Sequence, residues 1–412
     1  MRVFWLFCAL SVAALGQAPI PLAQLQAEAR AHNPGLQAAR QQWRAAQAAI
    51  APAGALPDPS AVVQQMTVAV PAPFTGLRGN MMSAIGVGAM QALPYPGKLK
   101  LRAGVARGQA QAQRQHWEQA ARQLDLQVAG AYIGLQQSRA LETVLRQQQQ
   151  VLALAEKLAE VHYRTAQGPQ ADVLEAQLQQ TTLLRDLDSN QEMQQAAQAE
   201  LQALLNRPAS TPAIVPEPLH ETRLPAAAAQ LAAALAASPA QAAQRARLQG
   251  AETAVALARK NFKPDFTVQY MFEETASGFP DRYELSLGMT LPWFHRRSRQ
   301  EPELEQAAAE RLAAQAGLEE LAQQQRYQLT RALLEAQNET RLLTIDQQGA
   351  LPQAQAAAQA TLTAYGSGKS DFNSYLTAWR ETLAVEQQYW NTLAAHETAL
   401  ATVTELTGVK HE

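Results

Sequence analysis

A chain of 412 residues could hold two or three ordinary domains, yet 47% of it is apolar and only 6% aromatic, with alanine making up much of the apolar count and glutamine leading the polar positions. That mixture favours long helices over compact aromatic cores. A net charge of −2 and a pI near 6.4 provide no basic field, which excludes nucleic acid as a partner.

Residues 1–18 read as a secretory signal: Arg2, an apolar run from Val3 to Leu15, then Gly16-Gln17-Ala18 with small residues where a signal peptidase needs them. Cleavage is expected after Ala18. It would remove Cys8, the single cysteine, which lies too early and between the wrong neighbours to carry a lipid anchor. No later run reaches the roughly 18 apolar residues of a membrane-spanning helix. The alanine-rich stretch from Ala226 to Ala237 comes nearest and is interrupted by Gln230.

The rest of the chain states one pattern twice, over 19–215 and again over 216–412. Asn33-Pro34 opens a helix that leads to Pro57-Asp58-Pro59 and an alternating apolar segment; Ser238-Pro239 leads likewise to Pro264-Asp265 and another. Both repeats pass through Leu-Pro-aromatic (Leu93-Pro94-Tyr95 and Leu291-Pro292-Trp293), a basic patch and a very long helical stretch. Each then reaches a turn ending in Asp and an apolar residue, Tyr163 to Val173 and Tyr365 to Phe372.

Punctuation sizes the helices. The first repeat predicts helix over about 22–50, 99–163 and 170–206, roughly 44, 98 and 56 Å long. The second predicts helix over about 238–262, 303–365 and 371–406, roughly 38, 95 and 54 Å. Each long helix can run antiparallel to two shorter ones stacked end to end, in a rod about 100 Å long. Pro352 should kink the second long helix, whereas Pro302 fits a first turn where no donor is missed. In the last helix Phe372, Leu376, Trp379, Leu383, Trp390, Leu393 and Leu400 fall near a coiled-coil repeat broken by Glu386 and Glu397, a seam for neighbouring helices.

Four segments between helices alternate with the period of a strand: about 60–70, 83–93, 266–273 and 283–291. The second pair is clear, with Phe266, Val268, Tyr270 and Phe272, then Tyr283, Leu285, Leu287, Met289 and Leu291. The first pair is weaker, with Val62, Gln64, Met66, Val68 and Val70, then Ile85, Val87, Ala89, Gln91 and Leu93. Their length suits a tilted strand crossing an outer membrane, one face apolar toward lipid and the other small or polar. Aromatics cluster at the strand ends: Phe74, Tyr95, Tyr270, Phe272, Phe279, Tyr283, Trp293 and Phe294. Ordinary soluble hairpins with one buried face are the alternative. Four strands cannot close a barrel, and an open edge in lipid leaves backbone groups unpaired, so a membrane reading requires an oligomer.

The chain resembles the TolC-like outer-membrane efflux proteins over nearly all of its predicted mature length. The most specific pieces are Gly168-Pro169-Gln170-Ala171-Asp172-Val173-Leu174-Glu175, the strand exit Leu93-Pro94-Tyr95-Pro96-Gly97-Lys98, and Tyr365-Gly366-Ser367-Gly368-Lys369-Ser370-Asp371-Phe372. The first two look most like the subgroup serving heavy-metal efflux. The resemblance implies a mainly α fold with transmembrane β: duplicated coiled-coil hairpins forming a periplasmic tunnel, and four strands given to the barrel of a homotrimer. It also implies docking through the tunnel tip onto a periplasmic adaptor and an inner-membrane pump. Ala166 departs from the pattern, standing where many relatives carry glycine.

No enzyme chemistry is visible. The seven histidines are scattered, and neither a nucleophile motif nor a phosphate loop appears, so no catalytic, cofactor or resident metal site is expected. At the turns, Asp172 with Glu175, and Asp371 after Ser370, fit helix caps. In a three-fold assembly the same carboxylates would form acidic rings at a narrow end. The resemblance adds that Asp371 matches an acidic constriction, that Tyr365 and Lys369 stand near latch residues, and that Ser374 replaces a second acid found in some relatives. Gly168, Pro169, Gly366 and Gly368 would shape tips that meet an adaptor; as plain punctuation they end helices. Gln269 and Glu284 are candidates for a barrel lumen. The function expected is a passive outer-membrane duct for solutes such as heavy-metal cations. Competing readings are a periplasmic coiled-coil adaptor or scaffold, or the same duct serving drug efflux or type I protein secretion.

Overall fold

The structure, a computed structural model, describes residues 18–66, 83–223, 227–275 and 280–409. The expected signal through Gln17, the stretch 67–82 with Phe74 and the far end of the first predicted strand, and Phe279 lie outside the described residues.

The first helical stretch is three pieces, α1 (Leu22–His32), α2 (Pro34–Ala48) and α3 (Ile50–Gly54). Pro34 forces Asn33 into extended backbone, which ends α1. After β1 (Ser60–Met66) and β2 (Ala84–Leu93) come α4 (Lys98–Arg164) and α5 (Gln170–Leu204). The second repeat adds α6 (Ala228–Ala236), which strand and helix punctuation did not predict, then α7 (Pro239–Lys260), whose Ser238 cap accepts from the Gln241 amide. Strands β3 (Phe266–Thr275) and β4 (Arg282–Met289) precede α8 (Glu301–Ile345), α9 (Leu351–Gly366) and α10 (Phe372–Thr407).

At Pro352, where a kink is expected, the structure shows a change of helix type. A wide π turn, Asp346–Ala350, separates α8 from α9 and lies just ahead of the proline. Pro302 is preceded by a second one, Arg296–Gln300. In both places the wide turn falls where a proline ring would strike the carbonyl four residues back, so the strain is taken up locally instead of ending the helix.

By their contacts the residues form two compact units, and each draws on both repeats. The first comprises Gly35–Ala120 and Leu235–Arg326. It holds one antiparallel sheet in the order β1-β2-β3-β4, so the two hairpins join through β2 and β3. The register sorts the side chains by face. Tyr283, Leu285, Leu287 and Met289 on β4 oppose Phe272, Tyr270, Val268 and Phe266 on β3, which oppose Val87, Ala89, Gln91 and Leu93 on β2. The other face carries Glu284, Ser286, Gly288, Thr267, Gln269, Gly86 and Gly88. On β1 the expected phase is corrected: Val63, opposite Val87, lies on the apolar face, while Val62, opposite Gly88, shares the polar and small one. Adjacent valines leave the phase ambiguous, and pairing with β2 decides it. Met271 is buried against Gly86 and Gly88, where an added Cβ would collide with its side chain.

Helices pack beside the sheet in this unit. Trp43 of α2 stacks on Trp117 of α4 at 5.6 Å. At the strand bases Lys98, buried, donates to Asp265 Oδ1 (2.8 Å) and the Lys263 carbonyl (3.1 Å), and the Tyr95 amide donates to the same carboxylate (2.7 Å). Burial opposes the Asp265 charge, but these hydrogen bonds, with the charges of Lys98 and Arg102, hold its carboxyl below the usual range.

The second unit comprises Met1–Pro34, Ala121–Ala234 and Tyr327–Glu412, and its described residues are mainly helical. The predicted seam of α10 is buried at Phe372, Leu376, Trp379, Leu393 and Leu400, with Leu383 and Trp390 packed partly in. Its two interruptions are both satisfied. Glu386 accepts from Gln148 (2.8 Å) and Gln355 (3.0 Å), and buried Glu397 accepts from the Thr222 amide and hydroxyl (2.9 and 2.8 Å).

Candidate functional site at the helix turns

Both long helical stretches end in the same hydrogen-bonded turn. In the first, the Gln167 amide donates to the His162 carbonyl (2.8 Å) and the Ala166 amide to the Tyr163 carbonyl (3.1 Å). In the second, the Lys369 amide donates to the Ala364 carbonyl (2.8 Å) and the Gly368 amide to the Tyr365 carbonyl (2.9 Å). These are Schellman motifs, which need a left-handed residue at the pivot. The second turn uses Gly368 (φ 71°); the first uses Ala166 (φ 55°). One constant offset relates the two repeats here, pairing Tyr163 with Tyr365, Ala166 with Gly368, Pro169 with Asp371 and left-handed Asn206 with left-handed Gly408.

An L-residue in that conformation is strained by about 1–2 kcal/mol, partly offset by the extra chain entropy glycine loses. Ala166→Gly is therefore expected to stabilise the fold by roughly 0.5–1 kcal/mol, read as a raised thermal midpoint. Gly368→Ala should lower it. Equal midpoints for both variants would show that the turn relaxes around its pivot.

The following helices start differently. Asp371 caps α10, accepting from the Ser374 amide (2.7 Å) and hydroxyl (3.1 Å), which holds its exposed carboxyl below the ordinary range. The capping expected of Asp172 is not what the structure has. Pro169 occupies the cap of α5 and makes no side-chain bond, so Asp172 sits inside the first turn and is free to bond elsewhere. Its Oδ2 accepts from the Tyr365 hydroxyl at 3.0 Å, tying the two repeats together. Glu175 is exposed.

Tyr365 is almost wholly buried, its ring 4.8 Å from that of His162 and 5.0 Å from that of Phe372. Burial, then the hydrogen bond to Asp172, pushes its hydroxyl pKa far up, so it remains a donor throughout the physiological range. The cluster continues through Tyr375 and Trp379, whose hydroxyl and indole N–H have no partner among the described residues; burial pushes Tyr375 up to about 12. Packing, then, fixes these rings, and the Tyr365–Asp172 bond stands out as a polar link in an apolar setting.

Of the two residues near the latch positions, Lys369 is exposed and makes no ion pair among the described residues, contributing its backbone amide to the turn. Gly366 ends α9 on the exposed side, and Gly168 lies against His162, where a Cβ would approach the histidine Cβ to 3.2 Å. Sequence reading missed His162 as a wall of the site. It also missed glutamine–glutamate links nearby, Gln180 with Glu156 and Gln148 with Glu386. A sequence rich in glutamine gives no sign of which amides are used.

In the sheet unit, the two candidate lumen residues share the polar face. Gln269 is directly opposite Ser286, whose hydroxyl donates to Glu284 (2.7 Å). On the other face Leu287 is 76% exposed and Tyr283 70%. Strand β1 pairs only with β2, and β4 only with β3, so both outer edges are unpaired among the described residues.

No protein-family model and no curated protein matches the chain. Solved structures do. The chain is similar to the outer-membrane channel OprN at 18% identity, over 94% of this chain and 89% of that one, with a TM-score of 0.82. It is similar to CusC, for which conformational changes accompany folding and transmembrane channel formation, at 18% identity over 94% and 92%, TM-score 0.81. The outer membrane protein VceC of Vibrio cholerae matches at 19% identity over 94% and 96%, TM-score 0.80. The fold expected from the resemblance to TolC-like proteins is thus the fold of this chain: long helices with one four-stranded antiparallel sheet.

Proposed function

We propose that this chain, which has the fold of outer-membrane channels, is the outer-membrane duct of a tripartite efflux assembly, a passive path for solutes delivered by an inner-membrane pump through a periplasmic adaptor. The observation that carries the reading is the sheet: an exposed apolar face, a polar and small face behind it, and two edges that are unpaired among the described residues. Such a sheet is unstable alone in lipid and becomes complete when three copies close a twelve-stranded barrel, three copies of four strands each. Gln269 and Glu284 then line its water-filled lumen. Exposed apolar side chains along α8, Leu312, Tyr327, Leu334, Leu342 and Ile345, provide seams for neighbouring copies in the same assembly.

In this reading the helix turns form the narrow end. The Tyr365–Asp172 bond is a latch between repeats, Asp371 and Glu175 supply rings of negative charge, and Lys369 contributes a cation to the same turn as Asp371. Gly168, Pro169, Gly366 and Gly368 shape the tips that meet the adaptor. The pump, which selects cargo, sets whether that cargo is a heavy-metal cation, a drug or a protein.

The test is single-channel recording in planar bilayers. Discrete conductance with cation preference is expected, and a protein that purifies as a soluble monomer without detergent would end the duct reading. Asp371→Ala should weaken the cation preference several-fold. The sign of the pH effect follows from its lowered pKa: cap and charge are complete above the unfolded-state value and are lost as pH falls through the folded-state value. Preference should therefore persist through pH 5 and fade only below about pH 4. An unchanged preference in Asp371→Ala rejects the residue as part of the constriction.

A further inference from the structure

We infer that the junction where the strands give way to helices is a docking belt for the headgroups of anionic phospholipids of the phosphatidylglycerol type. This rests on the membrane reading above and adds which lipid is held, and where.

The chain is strongly polarised along its strands. At the end where β2 and β4 run out and β3 begins, cations crowd within a few residues of the last strand positions. Three are already engaged: Lys98 with Asp265, Arg296 with Glu301 and Arg299 with Glu303. Lys100, Arg259, Lys263 and Arg297 are exposed and make no ion pair among the described residues. An exposed carboxylate, Asp58, lies on the approach to β1 and does not balance them. The opposite end carries Glu273, Glu274 and Asp281 against Arg282, an acidic balance that repels the same headgroup.

Aromatic rings lie between the apolar strand face and these cations. Trp293 and Phe294 are exposed directly after β4, at 56% and 73%. Lys260 stands over the Tyr95 ring at 5.2 Å, and Arg296 over the Phe262 ring at 5.7 Å. Apolar strand, then ring, then cation is the order in which a bilayer presents acyl chain, interface and phosphate. A barrel needs the rings alone. The surplus of unpaired cations beyond them matches a phosphodiester charge, and because α4 and α8 start from this end, it faces the compartment that receives the helices. The complementary partner is therefore the phospholipid of that leaflet, not a glycolipid of the far one.

The test uses the full chain in detergent, exchanged into mixed micelles of equal phosphatidylglycerol and phosphatidylethanolamine, with retained lipid counted by native mass spectrometry. Phosphatidylglycerol is expected to be enriched about fivefold. The triple variant Lys260→Gln, Lys263→Gln, Arg297→Gln should bring enrichment near unity while leaving membrane insertion and conductance intact. Lys98 is left in place because its bridge to Asp265 holds the strand bases. Should the triple variant fail to assemble, Lys100→Gln on α4 with Arg259→Gln on α7 should still halve the enrichment. No enrichment in the parent protein, or full enrichment in the variants, overturns the inference. So does equal displacement by lipid A phosphates, which would assign the belt to the other leaflet. Failure of the parent to insert into any bilayer is a different result and removes the duct reading itself.

Discussion

Leu287→Arg should eliminate the protein from the outer-membrane fraction, while Glu284→Arg should leave assembly in place. The two residues lie three apart on β4 and on opposite faces of one sheet. Leu287 lies within β4, exposed and in register with Val268 and Gln91, so an arginine there enters the apolar face where lipid would lie. A cation at that depth costs about 2–4 kcal/mol in each copy, and a closed ring suffers it in every copy. Glu284, on the polar face beside Ser286 and Met271, exchanges one hydrated charge for another. Separation of membranes followed by detection of the oligomer reads both outcomes. Normal assembly of Leu287→Arg would show that the apolar face is covered by protein, and the scaffold reading would replace the duct.

If the helix turns close the narrow end of the proposed duct, Tyr365→Phe should raise its conductance at least tenfold with the barrel unchanged. The substitution removes one hydroxyl and keeps the ring that packs against His162 and Phe372, so the apolar cluster survives. What it removes is the donor to Asp172. A hydrogen bond to a charged group is worth about 1.5–3 kcal/mol, so its loss shifts a two-state equilibrium by more than a factor of ten for each copy. Asp172→Ala removes the acceptor and should give a comparable rise, and the double variant should add little to either, the signature of one shared interaction. Single-channel open probability in planar bilayers measures all three. If Tyr365→Phe conducts like the parent while Asp172→Ala does not, the carboxylate acts through its charge and the bond is no latch.

How much of this was legible in the sequence depends on the range of the interaction. Helix ends were legible where proline and glycine act locally, as at Pro239 and Gly368, whereas the single helix expected over 22–50 is broken at Asn33 by Pro34. The clear strands of the second repeat were legible because strict alternation fixes their faces. The phase of β1 was not, since Val62 and Val63 are both apolar and only the partner strand chooses between them. Asp172 fitted a capping pattern by spacing, yet Pro169 already held that place, and the hydroxyl it binds instead is 193 residues away in sequence. Ala166 was flagged through the resemblance, since many relatives carry glycine there, and its counterpart in the other repeat, Gly368, shows why: both hold the left-handed pivot.

The two turns share a backbone but not a chemistry, since one presents Pro169 where the other presents Asp371. Around a three-fold ring they would alternate, so a companion gripping only the common backbone contour finds six seats, and one requiring the carboxylate finds three. In the proposed trimer, the stoichiometry of a companion at the mouth would then turn on whether it reads that one position.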